Sequence, residues 1–90
     1  MMKEAHKASP TAREWAALGD DLYRQGIFTE SAEAYERALE MDPEDKESWN
    51  SRGLALCRQG VLDRAVESFE RAIEIDDQYL DAHNNIGVVH

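Results

Sequence analysis

A fixed interval of 34 residues runs through this chain and constrains its fold more than any single residue does. Trp15 recurs as Trp49, and Gly19 recurs as Gly53 and again as Gly87. Gly26 and Gly60, Ala38 and Ala72, Tyr35 and Phe69, and Leu39 and Ile73 keep the same step. A repeat of this length is one supersecondary unit that cannot bury its apolar face alone. Neighbouring units must stack to make a continuous core. The pattern points to a binding scaffold rather than to a chemistry.

Each unit reads as a pair of helices. Thr11 followed by Glu14 is a capping box, with Pro10 just upstream, and Trp15, Leu18, Leu22 and Tyr23 then recur at helical spacing. Gly26 ends this helix, which is predicted at about 11–25. Thr29 is expected to cap a second helix at about 29–41, with Ala32, Tyr35, Ala38, Leu39 and Met41 inward. Asp42-Pro43 stops it. The pattern restarts as a helix at about 45–59, ended by Gly60, and one at about 63–75 with Asp63 as cap. Glu33 to Arg37 and Glu67 to Arg71 are acid-first pairs four apart, expected to bridge on the exposed face. A fifth helix starts near Tyr79 and carries Leu80, Ala82, Ile86 and Val89. The chain stops partway through a third unit, as a piece of a longer array would.

Composition excludes several classes of function. The net charge of -9 argues against a nucleic-acid backbone or an anionic membrane as partner. A single cysteine, Cys57, cannot form an intrachain disulfide, so a reducing, cytoplasmic setting is expected. No apolar run approaches a membrane span, and residues 1–10 read as a polar leader. His83 and His90 lie seven apart, with His6 far away in the leader, which is a poor metal signal. No metal or other cofactor is expected. Cys57 has no partner for nucleophilic work, no Gly-rich phosphate loop occurs, and no enzymatic constellation is present.

The spacing, with Trp15-Ala16-Ala17-Leu18-Gly19, Tyr35, Ala38 and Pro43 in one unit and Trp49, Gly53, Phe69 and Ala72 in the next, resembles the tetratricopeptide repeat family. Ile86-Gly87 resembles the start of a third copy. Arg52 departs from the pattern where Leu18 and Ile86 are aliphatic. It is expected to lay its methylenes on the core and keep its charge in water. Ser31 stands where Ala65 gives alanine, and Asp77 replaces the proline. The resemblance implies an all-α fold of antiparallel helix pairs stacked as a right-handed superhelix, with five helices in two and a half repeats. The repeats would be residues 12–45, 46–79 and a partial third at 80–90, within a single domain at 11–90.

The resemblance further implies a concave groove, lined by the first helix of each pair, that binds a peptide or extended segment. The corresponding positions are Arg13, Ala16, Asp20, Tyr23 and Arg24; then Glu47, Asn50, Leu54, Cys57 and Arg58; then Asp81, Asn84 and Val88. Their three arginines and three acids make the groove near neutral. Asn50 and Asn84, one period apart, each offer an amide suited to a bound peptide bond. Ala16, Asp20, Ser51 and Leu54 stand where a clamp for a C-terminal carboxylate would need cations or amides, so that ligand is not expected. The negative charge lies elsewhere: residues 28–45 hold seven acids against Arg37 alone, and residues 62–77 hold six against Arg64 and Arg71. That face is read as solvated, with a basic partner as the sharper reading. The expected function is a protein-interaction scaffold without catalysis. The alternative is self-association into a homodimer through an apolar edge at Ile86 and Val89.

Overall fold

The structure is a computed structural model that describes residues 9–89. His6, His90 and most of the expected leader lie outside the described residues. The described residues form five helices: α1 (Ala12–Arg24), α2 (Phe28–Met41), α3 (Lys46–Gln59), α4 (Leu62–Ile75) and α5 (Leu80–Val89). The all-α expectation holds, and each helix matches its predicted range to within about two residues.

Helix starts and stops follow from named residues. Thr11 and Glu14 form the expected capping box: the Thr11 N–H donates to the Glu14 carboxylate at 2.9 Å, and the Glu14 N–H to the Thr11 hydroxyl at 3.1 Å. Gly26 and Gly60 take φ of 81° and 85°. Past each of them the chain closes back, with the Ile27 N–H on the Leu22 carbonyl and the Val61 N–H on the Leu56 carbonyl, both at 2.9 Å. This six-residue closure satisfies helix-end carbonyls and turns the chain sharply.

That closure corrects the expected caps of α2 and α4. Ile27 and Val61 are the N-cap residues, and neither helix has a side-chain cap. The turn delivers the chain into helical geometry at once, so Thr29 and Asp63 fall inside the first turn. The Thr29 hydroxyl instead accepts from Gln59 Nε2 of α3 at 2.9 Å. α3 does have a side-chain cap: Asp45 accepts from the Glu47 and Ser48 N–H groups at 3.2 and 3.3 Å.

Helices pack in sequence order, α1 on α2, α2 on α3, α3 on α4 and α4 on α5. α1 also packs on α3, and α3 on α5, whereas the backbones of α2 and α4 stay apart. The array is therefore tight along the odd-numbered row and open along the even-numbered one. It is elongated, 54 × 27 × 17 Å. The interval glycines explain the close pairing. A Cβ on Gly19 would stand 2.8 Å from the Tyr35 ring, and one on Gly53 would be closer still to the Phe69 ring. Around these rings Ala32, Ala34, Ala38, Ala55, Ala65, Ala72 and Leu56 are buried.

The tryptophans recur as scaffold. Trp15 lies under the Arg37 guanidinium at 5.8 Å and Trp49 under Arg71 at 5.0 Å, the same pairing one interval apart. These stacks displace the expected bridges. Among the described residues neither Glu33–Arg37 nor Glu67–Arg71 forms an ion pair, and Arg71 meets Glu74 at 3.6 Å instead. Met41, expected inward, is exposed at the last position of α2.

Arg52 is the largest correction to the core. Its charge is not in water: the residue is 9% exposed, wedged where α3 meets α2 and α4. Its Nε donates to Glu36 at 3.0 Å, and a terminal nitrogen donates to the Ser68 hydroxyl, which is fully buried. Glu36 also meets Arg64 at 3.6 Å. A buried guanidinium persists only when it is paired and hydrogen-bonded, and here both conditions are met.

Candidate functional site

The odd-numbered row carries two neighbouring cavities. The first, about 430 Å³, is lined by Ala12, Arg13, Ala16 and Asp20 of α1, by Tyr35, by Asp42 and Asp45 of the α2–α3 turn, and by Glu47, Ser48 and Ser51 of α3. The second, about 160 Å³, is lined by Asp20, Tyr23, Arg24, Tyr35, Ser51 and Leu54. Asp20, Tyr35 and Ser51 belong to both, so the two adjoin and together make a trough between α1 and α3.

The trough brings together seven of the expected groove residues: Arg13, Ala16, Asp20, Tyr23, Arg24, Glu47 and Leu54. Its centre is the Tyr35 hydroxyl, which donates to the Asp20 carboxylate. Burial, and then the hydrogen bond to Asp20, push this hydroxyl far above the usual tyrosine range. Tyr35 thus stays a neutral donor that fixes the Asp20 carboxylate at the floor of the trough.

The other six expected groove residues, Asn50, Cys57, Arg58, Asp81, Asn84 and Val88, line neither cavity. Asn50 is only 7% exposed, and its carbonyl oxygen accepts from Asn85 Nδ2 at 2.8 Å. It ties α3 to α5, and its acceptor is already used. Arg58 lies over the Phe28 ring at 4.8 Å and donates to the Tyr23 hydroxyl at 3.4 Å. Tyr23 itself packs edge-on against Phe28 of α2, with centroids 5.3 Å apart. Asp81 and Asn84 are exposed on α5, away from both cavities. Of the expected self-association pair, Ile86 and Val89 are half-buried against the core, and the exposed apolar side chains of α5 are Leu80 and Val88.

The sequence reading missed Asp42, Asp45, Ser48 and Tyr35. The first two change the electrostatics. The trough holds Asp20, Asp42, Asp45 and Glu47 against Arg13 and Arg24, so it is acidic rather than near neutral. Turn residues escaped a rule that counted helix positions only.

The open side carries a larger cleft of about 550 Å³ between α2 and α4, over α3. Five glutamates, Glu36, Glu40, Glu67, Glu70 and Glu74, line it together with Leu39, Trp49, Arg52 and Arg71. Its aromatic floor is already covered: Arg52 and Arg71 lie 5.8 and 5.0 Å from the Trp49 centroid. Three Glu carboxylates, at 40, 67 and 70, form no ion pair among the described residues. The cleft therefore offers charge but little free apolar surface.

No group of three or more His, Cys, Asp or Glu among the described residues is placed to hold a metal ion. His83 donates through Nε2 to the Asp77 carbonyl at 3.0 Å, closing the turn before α5. Burial pushes the Cys57 thiol upward, away from the reactive thiolate.

The sequence matches the family described as Tetratricopeptide repeat over residues 16–79, well over half of the chain. The chain belongs to the tetratricopeptide repeat family. No curated protein matches the chain significantly. Tetratricopeptide repeats mediate protein–protein interaction and are a non-catalytic, scaffold kind of repeat. The paired helices, the glycine–ring contacts at the interval and the trough along the first helices agree with that membership. No described helix is long and apolar enough to cross a membrane.

Proposed function

We propose that this tetratricopeptide repeat chain is a protein-interaction module that holds an extended segment of net positive charge in the trough between α1 and α3, with no catalytic step. The observation that carries this reading is the adjoining of the two cavities at Asp20, Tyr35 and Ser51, with four acids against two arginines around them. Such an imbalance steers and registers a basic segment, while Leu54 and Tyr23 offer it an apolar contact. A carboxylate-terminated ligand would meet Asp20 where it needs a cation. The single half-buried thiol suits a cytoplasmic setting, and the acidic surface disfavours nucleic acid and anionic lipid as partners.

A phage-displayed random peptide library panned on the purified chain tests this. Selected peptides should be enriched in Lys and Arg. They should bind the Ser51→Arg variant on the order of tenfold more weakly, because that variant fills the trough and offsets its charge. Selection without basic enrichment, or binding indifferent to Ser51→Arg, rejects the reading.

A further inference from the structure

The two cavities of the trough differ in charge. All four acids of the trough, Asp20, Asp42, Asp45 and Glu47, line the larger cavity, against Arg13. The smaller holds Asp20 against Arg24, which balance, together with Tyr23 and Leu54. Tyr23 and Leu54 are half-buried against the apolar core cluster and give this end an apolar wall. Arg58 reaches the same end: it donates to the Tyr23 hydroxyl at 3.4 Å and lies 5.8 Å from the Tyr23 centroid. The acid excess therefore lies by the α2–α3 turn, and the cations Arg24 and Arg58 lie at the opposite end. Where the cavities adjoin, the Tyr35 hydroxyl holds Asp20. Among the described residues Asp42 and Glu47 form no ion pair, so their carboxylates are open to the cation of a ligand.

We propose that the trough reads order as well as charge. Its occupant is an extended segment of a partner protein with a Lys or Arg at the α2–α3 turn end and an apolar residue two positions away, seated between Tyr23 and Leu54. The proposal rests on the trough as the binding site and adds a register to it. The helix positions that line each cavity offset the two by roughly 6–10 Å along α1 and α3. In an extended chain, residues two apart face the same side at about 7 Å, and neighbours face opposite sides. A long basic side chain spans the remainder. The reverse order is disfavoured at both ends. A cation beside Tyr23 meets Arg24 and Arg58, and an apolar side chain in the larger cavity strips water from carboxylates without pairing them.

The probes are two synthetic isomers with capped termini, acetyl-Gly-Ser-Arg-Ser-Leu-Ser-Gly-amide and acetyl-Gly-Ser-Arg-Leu-Ser-Ser-Gly-amide, equal in charge and composition. In NMR titrations of the isotope-labelled chain the first should give saturable amide shifts centred on Asp20, Ser51 and Leu54. The second should bind at least about tenfold more weakly. The double variant Arg24→Glu, Glu47→Arg leaves the net charge of the trough unchanged but carries the acid excess to the Tyr23 and Leu54 end. Both side chains are exposed. Circular dichroism checks the fold of the variant, because each substitution opposes a helix dipole; the isomer pair on the unaltered chain does not depend on it. The variant should bind the first isomer about tenfold more weakly than the unaltered chain does. Equal affinity for the two isomers, or equal affinity of the unaltered chain and a folded double variant for the first, overturns the ordered register and leaves the acidic trough standing. Shifts centred outside the trough overturn both. Binding of neither isomer overturns the register, and the peptide library then decides the trough by itself.

Discussion

Repeats one and two share a backbone plan but fill it with polar contacts at different places, and the differences come in matched pairs. In repeat one the ring is Tyr35 and its hydroxyl donates to Asp20. In repeat two the same two positions hold Phe69 and Leu54, both in the apolar cluster. In repeat two Arg52 donates to Ser68. In repeat one those positions hold Leu18 and Ala34. A third site is asymmetric: the Ser31 hydroxyl donates to the Gly19 carbonyl at 2.7 Å, where Ala65 offers nothing to Gly53. Each polar side chain enters with a partner, a second side chain at Asp20 and Ser68 and a backbone carbonyl at Gly19, because a buried donor or acceptor without one costs about 1–3 kcal/mol. The repeat tolerates polarity at several positions, provided each group finds a partner.

The comparison breaks most visibly at the glycines. α3 buries six residues between its neighbours, whereas α1 buries only Gly19. α3 has no direction in which to yield, so Gly53→Val should cost about 3 kcal/mol or more, the upper range of overpacking. For so small a core, that removes most of a cooperative urea transition. Gly19→Val meets the Tyr35 ring in the same way, but α1 can move outward, and the loss should be about half as large. Gly87→Ala meets nothing and gains helix propensity, so it should be neutral or stabilise by up to about 1 kcal/mol. Circular dichroism during urea unfolding ranks the three. Equal losses at Gly19 and Gly53 would show that edge and centre are equally rigid.

Exchanging the matched pairs sharpens the comparison at intermediate size. Arg52→Leu alone leaves Ser68 buried without a partner, and Ser68→Ala alone leaves a guanidinium nitrogen unsatisfied. Each should destabilise by about 1–2 kcal/mol. The double variant imports repeat one's Leu–Ala pair and should cost less than the sum, with a coupling of about 1 kcal/mol. Glu36 retains Arg64 in every case, but that contact is exposed and contributes little. Strict additivity in the double-mutant cycle would mean that Arg52 and Ser68 do not act as a unit.

The same logic explains what was legible in the sequence. Period, helix ranges and the recurrence of the glycines and of the rings were visible because they depend on residues at fixed spacing, whereas the contact of each glycine with a ring came only with the structure. The caps at Thr29 and Asp63 were misread because the glycine closure before them, a feature of the preceding helix, decides where the next one starts. Seven of the expected groove residues line the trough, since they occupy one stripe of α1 and α3. Asn50 does not, because its use as an acceptor depends on Asn85, 35 residues away and not one interval away. Asp42 and Asp45 join the trough only through the path of a turn, which no helical periodicity describes.

The smallest effect comes from moving repeat two's ring into repeat one. Tyr35→Phe removes the hydrogen bond to Asp20, an exposed carboxylate that water can resolvate, so near neutral pH the cost should be about 0.5–1 kcal/mol. The pH dependence is the more telling readout. In the unfolded chain the hydroxyl ionises near pH 10. In the folded chain burial and Asp20 hold it protonated well above that. Below about pH 10 both states carry the proton and stability is unaffected; above it only the unfolded state loses the proton, so stability falls as pH rises, by up to about 1.4 kcal/mol per pH unit. Tyr35→Phe should remove this share of the alkaline slope. Tyr79, raised by burial and then by Asp81, should keep a smaller share of its own. Urea unfolding of both chains between about pH 9 and pH 11 measures the difference. An unchanged slope would mean that the Tyr35 hydroxyl reaches solvent in the folded state, and that the floor of the trough is looser in repeat one than its counterpart in repeat two.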